Sequence, residues 1–188
     1  MLPADAGCVL LPLARETIEE AIGGKVAAIQ SLPDWLQEKG ASFVSLHKHG
    51  ELRGCIGTIE PYRLLIDDVK ANAIGAATRD PRFTPLLWSE LSEIDIEVSV
   101  LSPTEVIQFE NEADALSQLR VGIDGIVFEW RGHRGTFLPQ VWESLPNASV
   151  FMSHLKVKSG LTAHFWADDI NLYRYTVSKW AEAKDVEV

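Results

Sequence analysis

"SFVSLHKHGELRGCIGT", residues 42–58, holds two short apolar-rich runs on either side of a His-Gly pair. Such runs, bounded by turn residues, read as strands. His49-Gly50 is the natural tip of a hairpin, because glycine tolerates positive φ freely and histidine tolerates it moderately. The second arm, "ELRGCIGT", is unusual for a strand. Gly54 and Gly57 weaken it, and glycines in such places mark a bulge or the close approach of a ligand or another backbone. Between them stands a thiol, Cys55. Side chains alternate along a strand, so Arg53 and Cys55 share a face. Two registers are open. With a loop of His49-Gly50 alone, Cys55 lies opposite Val44 and Arg53 opposite Leu46. With a three-residue loop, Cys55 meets Ser45 and Arg53 meets His47, a more polar setting. A slip of one residue exchanges the faces.

Outward from the hairpin, helices and strands intermix. "EIDIEVSVL" is the clearest strand: Ile94, Ile96, Val98 and Val100 face one way, Asp95, Glu97 and Ser99 the other. This alternation fits an antiparallel sheet with one open face. Leu11, Ala14, Ile18 and Ile22 recur at helical spacing in a first helix ending at Gly23-Gly24, and "SLPDWLQEKG" punctuates the end of this first helical region. Leu64, Leu65, Val69, Ala73, Ala76 and Ala77 form the apolar side of a second helix, with Asp67 and Asp68 near its start and Arg79 near its end. "PRFTPLLW" reads as a loop held open by Pro81 and Pro85. "NEADALSQL" is a short helix. "GIVFEWRGHRGTFLPQVW" is a second hairpin turning at "RGHRG". "NASVFMSHLKVKSG" is a helix capped by Asn147 and stopped by Gly160. "LYRYTVSKW" closes the chain as one strand, with Tyr173, Tyr175 and Val177 alternating. Without regular βαβ alternation, the fold class is α+β, mainly antiparallel sheets with flanking helices.

At 188 residues and 46% hydrophobic composition, the chain makes one domain, 1–188, or two small intertwined sub-domains. A net charge of -10 opposes non-specific attraction to nucleic acid or anionic lipid, which needs a basic surface. RNA binding through local basic residues is the weakest of the functional readings. Two cysteines, Cys8 and Cys55, make neither a disulfide framework nor a CxxC metal motif, and point to a reducing, cytoplasmic setting. The N-terminal apolar run is short, has no basic flank and makes a poor signal peptide. No apolar run reaches the roughly 18 residues of a membrane span.

Several residues could carry chemistry. A cation beside a cysteine favours the nucleophilic thiolate, so Arg53 next to Cys55 suggests a reactive thiol. Against it stands a small buried hydrophobe in a bulged strand. Asp80 and Arg82, around Pro81, make either a solvated turn with a structural ion pair or a loop that binds an anion. Glu97 is either simply wet or, in a cleft, a general base or the partner of an arginine. Lys156 and Lys158 complement a helix C-terminus, unless Lys158 lends its charge to a cleft. His47 and His49 share a strand face, but two ligands without a third make a weak metal signal. There is no GxSxG and no GxxxxGK[ST]. Neither metal nor cofactor is expected.

Taken in order, "LRGCIGT", "RDPRFTPL", "IDIEVSVL", "VGIDGIVFE", "TFLPQVW" and "KSGLTAHFW" resemble the AMMECR domain family, known in prokaryotes as AmmeMemoRadiSam system protein A. The likeness spans nearly the whole chain. It carries over to Arg53, Gly54, Cys55, Ile56, Gly57 and Thr58; to Asp80, Arg82 and Phe83; to Glu97 and Ser99; to Pro139 and Gln140; and to Lys158 and Gly160. Asp124, in "GIDG", stands where the family often has histidine. The resemblance implies an α+β architecture of two sub-domains with the family's hallmark, "LRGCIGT", near a cleft between them. It also implies the company of a Memo-type protein and a radical-SAM enzyme, but no settled reaction. Two functional readings remain. One is an enzyme or enzyme-partner subunit in which Cys55 reacts while Arg82 and Lys158 hold an anionic group. The other is a non-catalytic module binding a small molecule or peptide through the same residues.

Overall fold

The computed structural model describes residues 2–24 and 32–182. Its elements run, in chain order, α1 (Gly7–Ala21), β1 (Lys39–Gly40), β2 (Ser42–Lys48), β3 (Glu51–Gly57), β4 (Arg63–Leu64), α2 (Leu65–Thr78), β5 (Ile94–Leu101) and β6 (Glu105–Val106). Then come α3 (Glu112–Ser117), β7 (Gly125–Trp130), β8 (His133–Phe137), α4 (Ala148–Lys158), β9 (Asn171–Tyr175) and β10 (Val177–Ala181). Short 3-10 turns occupy Asp34–Gln37, Trp88–Glu93 and Pro139–Glu143. The chain divides into two units: Met1–Leu101 with Ser178–Val188, and Ser102–Val177. The fold is α+β, as the sequence predicts. "SLPDWLQEKG" begins at Ser31, outside the described residues, and continues into the first 3-10 turn.

In the first unit the sheet runs β10-β5-β2-β3, with β2 antiparallel to both neighbours. Val44, Leu46, Ile96 and Val98 face α1 and α2, which contribute Leu10, Leu13, Ile18, Val69, Ala73 and Ala76 to one cluster. Each large aliphatic side chain fully buried here contributes roughly 1.5–3 kcal/mol. The buried line of α1 is Leu10, Leu13, Ala14, Thr17 and Ile18. It is turned by about one position from the expected stripe, so Leu11 and Ile22 are only half-buried. On α2 the expected apolar side holds from Leu65 to Ala77, whereas Leu64 precedes the helix. On β5 the alternation is as expected, except that Ser99 is buried too.

The second unit has a sheet ordered β6-β9-β7-β8, its paired strands antiparallel. Phe151, Met152 and Leu155 of α4 cover Ile126, Phe128 and Leu172. Trp142 stacks on Phe151 with ring centroids 3.7 Å apart. Asn147 caps α4, its Oδ1 accepting the Ser149 and Val150 N–H groups at 3.0 and 3.1 Å, and Gly160 follows the helix at φ 83°. The β7–β8 hairpin turns at Arg131 and Gly132, both with positive φ.

One expectation needs correcting. "LYRYTVSKW" is not one strand but two, β9 and β10, in different sheets. The break falls at Thr176, whose N–H goes to Ser102 Oγ and whose carbonyl accepts the Ser102 N–H, each at 2.9 Å. Among the described residues no helix is long and apolar enough to cross a membrane.

Candidate functional site

The β2–β3 hairpin takes the predicted two-residue loop: His49 at φ 54° and Gly50 at φ 85°, with Lys48 opposite Glu51. Yet Cys55 lies opposite Ser45, the register expected of a longer loop. The two facts meet in a β-bulge. His47 pairs with Leu52 and Leu46 with Gly54, leaving Arg53 as the extra residue. Without it, Cys55 would face the way of Val44, which is fully buried in the core. The bulge turns Cys55 to the opposite face, a use of bulges common beside functional sites. There Ser45 Oγ donates to Cys55 Sγ at 3.2 Å.

β3 is an edge strand, and its outward backbone groups at Cys55 are covered by side chains. Asp80 Oδ2 accepts the Cys55 N–H at 2.8 Å, and Arg82 Nη2 donates to the Cys55 carbonyl at 3.3 Å. Since Cys55 turns these groups away from β2, its pair with Ser45 is of the kind without mutual backbone bonds, in which side chains sit closest. Asp80 also accepts Arg82 Nε at 2.9 Å, Nη2 at 2.6 Å and the Arg82 N–H at 3.1 Å. These bonds, led by the guanidinium, hold the Asp80 carboxyl far below the usual carboxylate range. The expected Asp80–Arg82 ion pair is present, although Asp80 is buried rather than solvated. Arg82 remains about half exposed, its side chain at 54%. Asp80 raises its pKa most, and the Cys55 side chain adds to the effect.

The expected pairing of Arg53 with Cys55 gives way to another partner. Arg53 Nε and Nη2 fork onto Glu90 at 3.2 and 3.0 Å. Arg53 thereby lowers Glu90 to about 2, with help from the Leu87 N–H. Phe83 has the guanidinium carbons of both Arg53 and Arg82 near its ring, at 5.9 and 5.5 Å. The cation at Cys55 is thus Arg82, brought from 27 residues away.

The glycines clear space for the protein itself. A Cβ on Gly54 would lie 2.2 Å from the Ala76 carbonyl oxygen, where α2 rests on the strand. A Cβ on Gly57 would lie 2.0 Å from the Phe43 ring, which covers the edge glycine. Thr58 joins a polar network that sequence reasoning missed. Its Oγ1 accepts from Asn72 Nδ2 at 3.2 Å and from Arg63 Nη2 at 3.3 Å. At the centre is Asp68, fully buried, accepting the Ser42 N–H at 2.7 Å, Ser42 Oγ at 2.6 Å, Asn72 Nδ2 at 2.9 Å and Arg63 Nε at 2.7 Å. The sequence signal for it was present in the early-helix carboxylate, read there as a response to the helix dipole.

Glu97 pairs in register with Ser45 on the side away from Cys55, so Glu97, Ser45 and Cys55 form one row across β5, β2 and β3. Lys179 Nζ holds Glu97 Oε1 at 3.1 Å. Gln140 and Lys158 belong to the second unit. Gln140 is exposed in its 3-10 turn, and Lys158 Nζ donates to the Thr136 carbonyl at 2.9 Å. Asp124 is fully buried, accepting the Arg120 N–H at 2.9 Å and its Nη2 at 2.6 Å. His49 lies 3.5 Å from Glu93. Among the described residues no three His, Cys, Asp or Glu side chains gather as metal ligands.

Comparison with known proteins places this arrangement. The AMMECR1 family model matches residues 11–180. Protein MJ0810 of Methanocaldococcus jannaschii is 35% identical over 192 residues, covering 98% of this chain and 94% of its own. A protein of Methanothermobacter thermautotrophicus is 41% identical over 182 residues, covering 93% of each chain. The crystal structure of Uncharacterized Protein PH0010 from Pyrococcus horikoshii matches with a TM-score of 0.79 at 32% identity, covering 96% of this chain and 93% of that one.

Proposed function

The chain belongs to the AMMECR1 family, and on that footing we propose that it works through the thiol of Cys55, as an enzyme or as the partner subunit of one. The observation that supports this reading is the setting of the sulfur. A bulge turns it from the core, a serine hydroxyl donates to it at 3.2 Å, and the half-exposed Arg82 lies beside it. A hydroxyl donor on the sulfur and a cation on the same residue's carbonyl are neighbours suited to a nucleophilic cysteine. The ligand class this setting suits is a small molecule or peptide with an electrophilic centre and an anionic group for Arg82. The work is placed in the cytoplasm, alongside a Memo-type protein and a radical-SAM enzyme. Family membership suggests that company, and the two free cysteines suit a reducing compartment.

A second reading, a non-catalytic ligand- or protein-binding module, draws on a different observation. Glu90 holds Arg53 through Nε and Nη2, but Arg53 Nη1 is buried without a hydrogen-bond partner, a donor left for a bound group. Cells lacking this protein, complemented with variants, separate the two. Under the thiol reading, folded Cys55→Ser fails to restore function. If Cys55→Ser restores it fully while Arg53→Ala does not, the binding module is the right account.

A further inference from the structure

Within the first unit, one face of α1 and the end of β10 enclose an open groove of about 730 Å³ that shares no residue with the Cys55 site. Its floor is apolar, formed by Leu11, Pro12 and the Trp180 ring. The ring can lie against the helix because Gly7 has no side chain; a Cβ there would be 2.5 Å from Trp180 Cδ1. The rim carries carboxylates: Asp5, Glu16 and Glu19. Among the described lining residues Arg15 is the one lysine or arginine, and Glu182 already holds its fork through Nε at 2.6 Å and Nη2 at 2.5 Å. Two further donors of Arg15 go to the Leu91 and Ile94 carbonyls. The groove is therefore acidic after its internal pairing is counted.

The backbone adds a second feature. Pro12 lies inside α1 and lacks the N–H that would bond to the carbonyl four residues earlier. That carbonyl belongs to Cys8, which is exposed and also lines the groove. The Pro12 ring stands in place of that donor and adds apolar surface to the groove beside Cys8.

We infer that the groove docks a segment of a partner protein in which basic side chains alternate with apolar ones. Apolar side chains lie on Leu11, Pro12 and Trp180. Lysine or arginine meets the rim carboxylates. A second copy of this chain fits poorly, since it would bring a net charge of -10 and the same carboxylates to the contact.

The test uses the full chain, isotope-labelled for NMR, titrated with an N-acetylated hexapeptide alternating leucine and arginine. Its counterpart with glutamate in place of arginine serves as control. The expected shifts centre on Cys8, Leu11 and the Trp180 indole N–H, which donates to the Ala4 carbonyl at 3.3 Å. Cys8→Arg, an exposed change that fills the groove with like charge, abolishes them. Glu16→Gln with Glu19→Gln weakens binding about fivefold at low salt, as expected of two rim charges. Glu51→Gln with Asp67→Asn, two exposed carboxylates outside the groove lining, removes the same charge elsewhere and leaves binding unchanged. The inference is overturned if shifts spread over the whole acidic surface, or if the two charge-removing pairs weaken binding equally. It is also overturned if the glutamate peptide binds as well, if binding appears only after residues 183–188 are deleted, or if Cys8→Arg dissociates a dimer.

Discussion

Replacing Asp80 with alanine removes the group that joins the hallmark strand to the loop after α2. The carboxylate is buried and accepts one bond from Cys55 and three from Arg82. A hydrogen bond to a charged group contributes roughly 1.5–3 kcal/mol net, but Arg82 is half exposed and regains water when its partner goes. Discounting its bonds leaves chiefly the uncovered Cys55 N–H and the lost anchor, about 2–3 kcal/mol in all. Asp80→Asn keeps an acceptor for the Cys55 N–H but not the charge, and should cost about 1–2 kcal/mol. Urea unfolding at pH 7 measures both. The pH dependence adds a sharper check. The folded carboxyl ionises well below its ordinary value of 3.8, so its contribution is complete above that value. The contribution is lost as the pH falls from there toward the folded value, and the gap between wild type and Asp80→Ala should narrow over that range. A gap under about 0.5 kcal/mol at pH 7, or one that does not change with acidification, would refute the reasoning.

Gly54→Ala sets a Cβ against the fixed Ala76 carbonyl and should cost about 2–3 kcal/mol by urea unfolding. Gly57→Ala meets the Phe43 side chain, which has rotamer freedom, and should cost about 1 kcal/mol; the reverse order would mean that α2 does not rest on Gly54 as described. Arg53→Met removes the main cause of Glu90's low pKa. NMR titration should find Glu90 moving from about 2 toward its ordinary 4.5, and an unmoved Glu90 would assign the depression elsewhere.

The hairpin shows where sequence reasoning stops. The tip at His49-Gly50 was legible, because positive φ restricts which residues can turn there. The register at Cys55 was not. Each of the two alternatives held half of the answer, since a bulge lets a two-residue loop deliver the other register. That bulge goes with α2 lying against Gly54, a contact across 22 residues that alternation within one strand cannot reveal. The same limit explains Arg53. Strict alternation puts it on the face of Cys55, but the bulge falls at Arg53 itself and Glu90 of the Trp88–Glu93 turn captures it. Asp80 and Arg82 were recognised as a pair. Their covering of a strand edge required knowing that, among the described residues, β3 has a neighbour on one side only. Where local pattern and packing agree, as in β5 and the Asn147-capped α4, the sequence was sufficient.

The proposed role of Cys55 is tested most directly by competition between the two cysteines of one folded chain. Cys8 is exposed and Cys55 half-buried, so accessibility alone favours alkylation of Cys8. If Ser45 and Arg82 favour the thiolate as proposed, a limiting amount of iodoacetamide at pH 7 labels Cys55 first, by mass spectrometry of the digested protein. Arg82→Gln and Ser45→Ala should then each move the label toward Cys8. Preferential labelling of Cys8, with Cys55 reacting only after unfolding, would contradict the account and leave Cys55 as a packing residue.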